Sequence, residues 1–183
     1  MHTIKRYHDI CVGHRVVGHE GKCRHLHGHN YRIHFSCRAF QAPKQISAPP
    51  VVHQTLGNPK GIVLNDLPTP KGSQELDKLG RVIDFSVVKE KLCMWLETNW
   101  DHKFLFFEND PLILALLRTA SVSPDDALIC LESFVAVPFN PTAENIAEYL
   151  VEVIAPAQLH NTGVEVFACQ VEETAKCSAT YLK

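Results

Sequence analysis

From His29 to Cys37 the chain alternates: the odd positions read His, Tyr, Ile, Phe and Cys, and the even ones Asn, Arg, His and Ser. A period of two with one apolar side predicts a half-buried β-strand, and it carries His27 and His29 inward at its start. Upstream, Ile10, Val12 and Val16 share the parity of His14, which predicts a neighbouring strand with a histidine on its inner face. After Asp84 the period changes. Phe85, Val88, Leu92, Trp95 and Leu96 fall on one side of an amphipathic helix over residues 86–99. LICLESFVAV (128–137) reads as a short extended segment. NPTAEN then opens a second helix, with Ile146, Tyr149, Leu150, Val153 and Ile154 on one stripe, and Pro156 marks its end. VEVFACQVEE (164–173) alternates again, and Cys177 to Leu182 makes a last strand. Strand, strand, helix, helix, strand, strand is an α+β pattern with an antiparallel sheet.

Residues 41–80 break the patterning. They are rich in Pro, Gly and polar residues, as an inserted loop would be, with Gly61 to Leu64 as a possible minor strand. Their composition predicts disorder. At 183 residues and 45% hydrophobic content, the rest suits one domain with a real core, spanning 1–183. Charge is nearly balanced, 18 basic against 20 acidic side chains, so nothing suggests a nucleic-acid surface. No apolar run reaches signal-peptide or membrane-span length, which predicts a soluble, cytoplasmic protein without a membrane partner. The seven cysteines form no C-x-x-C pair and are read as reduced thiols.

Histidine is the unusual component: of 11 in the chain, eight lie within the first 34 residues. In CRHLHGHNY (23–31), His27 and His29 stand two apart on a strand and point the same way, and Gly28 keeps a side chain away from an ion between them. With His14 from the adjacent strand, three imidazoles converge. Three histidines with one open position are the donor set of a catalytic zinc, although other first-row ions fit it too. Surface histidines that bind an ion by chance are the alternative, but three with interior parity on adjacent strands would make a poor core without a partner. On this reading His25 and His19 compete for a ligand place.

The run C-x-x-x-H-G-H-N-Y follows G-H-R; V-I-D-F-S, W-D-H-K-F-L, N-P-T-A-E-N and E-E-T come after it, in that order, between residues 7 and 183. Together these motifs resemble the 6-pyruvoyltetrahydropterin synthase and 6-carboxy-5,6,7,8-tetrahydropterin synthase family. The spacing Cys23-Arg24-His25-Leu26-His27-Gly28-His29 resembles the carboxytetrahydropterin branch, which serves queuosine and 7-deazapurine biosynthesis.

The resemblance implies the tunnelling fold, a four-stranded antiparallel sheet with two helices between the second and third strands. It implies homo-oligomers, trimers or dimers of trimers, whose sheets join into a barrel with active sites between subunits. It places Zn2+ on His14, His27 and His29, leaving His25 aside. Cys23 becomes the general base, with Arg24, His25 and the metal near enough to favour a thiolate. A small buried hydrophobe is the commoner fate of a lone cysteine. Asp101 orients His102 as a proton shuttle, and Glu173 anchors the pterin edge through paired hydrogen bonds. Glu173 shares the parity of Phe167, Cys169 and Val171, whereas Glu172 falls on the other face. Thr142 and Glu144 are explained by helix capping, and Tyr31 goes to the core.

The implied substrate is 7,8-dihydroneopterin triphosphate, cleaved to 6-carboxy-5,6,7,8-tetrahydropterin with release of acetaldehyde and triphosphate. Two alternatives remain: a 6-pyruvoyltetrahydropterin synthase that eliminates triphosphate only, and a non-catalytic zinc- or pterin-binding module.

Overall fold

The computed structural model describes residues 1–40, 76–119 and 123–183. Most of the inserted stretch, including Gly61 to Leu64, lies outside them. The two alternating N-terminal segments form the long strands β1 (Thr3–His14) and β2 (His27–Ala39), paired antiparallel from Thr3 opposite Arg38 to His14 opposite His27. Ile10, Val12 and His14 of β1, and Tyr31, Ile33, Phe35 and Cys37 of β2, are buried on one face. The opposite face is polar and paired. Arg32 forks onto Asp9 at 2.7 and 3.0 Å and lies over the Tyr7 ring, His34 meets Glu172 at 2.6 Å, and Arg38 meets Glu165 at 2.8 Å.

After β2 the chain makes α1 (Phe85–Val88), capped by the Asp84 side chain, a π-helical turn (Lys89–Cys93) and α2 (Met94–Asn99). Val88, Leu92 and Leu96 are buried as the stripe predicts, and Trp95 packs against the core, while Phe85 is half exposed. Then β3 (Lys103–Phe107), α3 (Pro111–Thr119), α4 (Pro124–Ser133) and β4 (Phe134–Val137) follow. Residues 128–133, expected to be extended, are therefore helical. Ser123 caps α4 by accepting from the Asp126 backbone, and only Phe134 to Val137 pair as a strand, with β3. The capping serine and Pro124 at the helix start outweigh a short apolar run whose period was ambiguous.

The second long helix comprises α5 (Ala143–Tyr149), a π-helical turn (Leu150–Ile154) and α6 (Ala155–Gln158). Pro156 does not end it; the proline sits in the first turn of α6, where its missing N–H is tolerated. Ile146, Leu150 and Ile154 are buried, joined by Ala147 and Val151, but Val153 is 48% exposed. The wider π-helical turn advances more slowly around the axis and carries Val153 off the stripe.

Strands β5 (Val164–Thr174) and β6 (Cys177–Leu182) complete a sheet of order β4-β3-β1-β2-β5-β6. The four long antiparallel strands are those expected; β3 and β4, parallel to β1, extend them to six. A bulge opposite Ser36 and Cys37 shifts the register, so Phe167 turns to the polar face under Arg38. The extra residue restores Cys169, Val171 and Glu173 to the inner side. The core lies between this inner face and the two long helices.

Near the histidine end of the β1–β2 ladder two glycines face each other, Gly13 paired with Gly28. A Cβ on Gly28 would meet the Val12 carbonyl oxygen at 2.9 Å, so glycine is required by the neighbouring strand rather than by space for an ion. Gly28→Ala is expected to push β1 from β2 and destabilise the fold by about 1–3 kcal/mol, the usual range for overpacking. Urea unfolding measures it, and an unchanged midpoint would contradict this account.

Candidate metal and pterin site

The register places His14 directly opposite His27, and Val12 opposite His29, so three imidazoles gather on the inner face where β1 ends and β2 begins. Their ring centroids lie 4.4 Å (His14–His27), 5.2 Å (His14–His29) and 5.0 Å (His27–His29) apart. One donor atom from each can be chosen so that all lie within 4.8 Å of one another, a group that could hold a metal ion. Such an ion would accept three imidazole nitrogens and keep a further position for a ligand.

Two backbone carbonyls select the tautomers. His14 donates Nδ1–H to the Pro141 carbonyl at 2.7 Å, and His27 donates Nδ1–H to the His25 carbonyl at 2.8 Å. A carbonyl only accepts, so in both rings Nε2 keeps its lone pair for a metal. The Pro141 carbonyl is itself fixed, because Asn140 makes two hydrogen bonds of 2.8 Å to the Val17 backbone. Burial holds the pKa of His14 below the ordinary value of 6.5, against the raising effect of the Pro141 bond. Burial likewise lowers His29, while the Glu173 charge acts in the opposite direction. Both rings are neutral at neutral pH, the form that binds metals.

His25 is exposed and joins the site through its main chain only. The exposed His19 uses Nδ1 to accept the Gly21 N–H at 2.8 Å. Neither belongs to the converging group.

Glu173 projects from the inner face of β5 toward the histidines, with Oε1 3.4 Å from the Nε2 atoms of both His14 and His29. Glu172 turns to the other face and accepts from His34, as parity required. Between the histidines and Glu173 lies a group that sequence reasoning assigned to the core alone. The Tyr31 hydroxyl is 3.1 Å from His14 Nε2 and 3.2 Å from Glu173 Oε1, in a residue 1% exposed. Burial and the Glu173 carboxylate together raise its pKa, so it stays a donor. Its signal was available: Tyr31 shares parity with His27 and His29, and a buried phenol needs a partner.

Cys23 sits in the 3-10 turn Lys22–Arg24, where its carbonyl accepts the Val16 N–H at 2.8 Å. With His14, Thr142, Glu144 and Glu173 it lines a cavity of about 200 Å³. Thr142 caps α5 by accepting from Asn145, and it also forms part of this wall.

Asp101 and His102 do interact. Asp101 Oδ2 accepts from His102 Nδ1 at 2.7 Å, and Oδ1 accepts the Cys11 N–H at 2.7 Å. His102 adopts the left-handed backbone region (φ 57°), held by its N–H bond to the Cys11 carbonyl at 2.8 Å. The aspartate thus fixes the Nδ1–H tautomer and leaves Nε2 outward on a side chain 79% exposed. Within one chain, however, His102 does not share the Cys23 cavity. It lines a larger, open cleft of about 800 Å³ with Cys11, His29 and Lys103, and Glu173 is the residue common to both.

The family model for 6-pyruvoyl tetrahydropterin synthase matches residues 3–47 and 70–183. A 6-carboxy-5,6,7,8-tetrahydropterin synthase of Rickettsia typhi is 26% identical over 169 residues, 92% of this chain and 91% of that one. A probable 6-carboxy-5,6,7,8-tetrahydropterin synthase of Halobacterium salinarum is 25% identical over 173 residues, covering 93% and 79%. Among solved structures, an uncharacterized protein of Wolinella succinogenes superposes with a TM-score of 0.70 at 25% identity, covering 99% of this chain and 97% of its own. The 6-pyruvoyl tetrahydropterin synthase of Caenorhabditis elegans shares the fold, with a TM-score of 0.54 at 20% identity and coverage of 99% and 94%. The match extends over nearly all of the chain and includes the strands that bring the three histidines together: the protein belongs to the 6-pyruvoyl tetrahydropterin synthase family.

Proposed function

We propose that this protein converts 7,8-dihydroneopterin triphosphate and water to 6-carboxy-5,6,7,8-tetrahydropterin, acetaldehyde and triphosphate, as a zinc-dependent cytoplasmic lyase that feeds queuosine or 7-deazapurine biosynthesis. The observation that carries the reading is the convergence of His14, His27 and His29 beside Glu173 and Cys23. The names of the full-length relatives from Rickettsia typhi and Halobacterium salinarum favour the carboxytetrahydropterin branch.

His14, His27 and His29 would hold the zinc, which when bound would supply Lewis acidity. The chain's own groups do the rest. Glu173 accepts the amino and ring N–H groups of the pterin edge, a pairing whose two parallel bonds set the ring's orientation. Cys23, in the same cavity, takes the proton from the side-chain carbon. His102, with its tautomer fixed by Asp101, offers Nε2 for proton transfer at the substrate.

Cys23 and His102 line different cavities of one chain, which supports a site completed between subunits, with each His102 facing the cysteine of a neighbour. The sheet favours such assembly. Along Thr3 to Ile10 the outer edge of β1 has no strand partner among the described residues, and β6 is an edge strand at the far side. Open edges invite pairing with another copy, so trimers or dimers of trimers that close a barrel fit this sheet.

Incubation with 7,8-dihydroneopterin triphosphate is expected to yield acetaldehyde and triphosphate in equal amounts. Triphosphate without acetaldehyde would instead assign the protein to pyruvoyltetrahydropterin synthesis. Cys23→Ala is expected to cut turnover by about 10²-fold or more, the usual scale of a general base, with zinc content unchanged by metal analysis. Undiminished turnover in that variant would refute the base role of Cys23, whereas a wild-type chain that binds zinc and pterin without any turnover would be a binding module. Since His14 and His29 titrate below 6.5, zinc affinity should be nearly constant from about pH 7 to 8 and fall as protons compete at lower pH. Competition with a chromophoric chelator reads this, and a decline beginning above pH 7.5 would refute it.

A further inference from the structure

The Tyr31 hydroxyl carries one proton and faces two acceptors, His14 Nε2 at 3.1 Å and Glu173 Oε1 at 3.2 Å. Burial removes water as a third choice. His14 gives Nδ1–H to the Pro141 carbonyl, so Nε2 is the nitrogen left for a metal. Once that lone pair is engaged, the phenol can donate to Glu173 alone. The ring itself is clamped edge-on between His14 and His29, with centroids 5.7 and 5.5 Å away, so the hydroxyl has little freedom to turn elsewhere.

Glu173 needs such a constraint. Its Oε1 lies 3.4 Å from both His14 Nε2 and His29 Nε2, close enough for the carboxylate to swing into the position that must stay open. A carboxylate has about four lone-pair sites, so one bond from Tyr31 leaves room for two donors from a pterin edge. The geometry points to Tyr31 as a positioning residue that holds the Glu173 carboxylate in place for the pterin while the three histidines carry a metal. This inference rests on the pterin reading of Glu173 given above.

Removal of the hydroxyl alone tests it. The probe is 6-methylpterin, which lacks a side-chain hydroxyl for the metal, titrated by fluorescence into the zinc-loaded full chain and its Tyr31→Phe, Glu173→Ala and doubly substituted forms. Tyr31→Phe is expected to weaken binding about tenfold with zinc content retained, as for loss of a hydrogen bond to a charged group. Glu173→Ala is expected to weaken it further, and adding Tyr31→Phe to that variant should cost nothing more, because the hydroxyl then has no carboxylate to hold. Unchanged binding in Tyr31→Phe overturns the inference, as does a full tenfold loss on top of Glu173→Ala. Loss of zinc from Tyr31→Phe also overturns it, placing the hydroxyl's role in the histidine cage instead. A wild-type chain that binds no 6-methylpterin refutes the pterin reading itself.

Discussion

The pairing of β1 with β2 at their histidine ends is the constraint on which the rest depends. His14 stands opposite His27 only because the register is fixed over twelve residue pairs from Thr3 to His14. A slip of one residue would turn His27 and His29 to the polar face and send Asn30 and Arg32 into the core. The apolar side chains Ile10, Val12, Tyr31, Ile33 and Phe35 hold the register by their burial, and the Asp9–Arg32 bonds hold it from the other face. Gly28 lets the strands come together where a Cβ would meet the Val12 carbonyl, and Gly13 leaves room for the Phe104 ring of β3.

Around that pairing the structure supplies neighbours that act through the main chain. Pro141 and His25 contribute carbonyls that set which nitrogen of His14 and His27 is free. The loop holding Pro141 is fastened to Val17, and Arg15, just before Val17, meets the buried Asp110 at 3.0 Å, so the segment following His14 is anchored on two sides. A buried carboxylate is costly without such a partner, and Asp110 also accepts the Leu112 N–H at the start of α3. The short parallel strands β3 and β4 thus do more than widen the sheet: they bring the Asp101–His102 turn against Cys11 and the α3 start against Arg15.

Much of the fold was legible in the chain because a period of two on a strand and a wide apolar stripe on a helix are local properties. The strands β1, β2, β5 and β6 and the two long helices follow from them, as does the inward direction of His14, His27, His29 and Glu173. What failed was local as well, where two readings of one segment competed. Residues 128–133 became helix because Ser123 and Pro124 start one, Pro156 stayed inside its helix after a π-helical turn, and Phe167 left its parity at a bulge. A bulge is a relation between two strands, so no pattern within β5 alone could announce it.

The sequence by itself determined the donor types, their faces and their order along the chain: three histidines with one parity, an acid on the inner side of a late strand, a cysteine just before the histidine pair, and an Asp-His turn after a helix. Only the tertiary structure decided which of these meet. Histidines 19 and 25 were equal candidates in chemistry and were separated by where their strands and turns put them. Tyr31 joined the site because its hydroxyl reaches both His14 and Glu173, residues 17 and 142 positions away along the chain. Cys23 and His102 parted into different cavities for the same reason. Spacing along a strand fixes direction, but a distance between two side chains is set by how separate elements pack, and packing is a property of the whole fold.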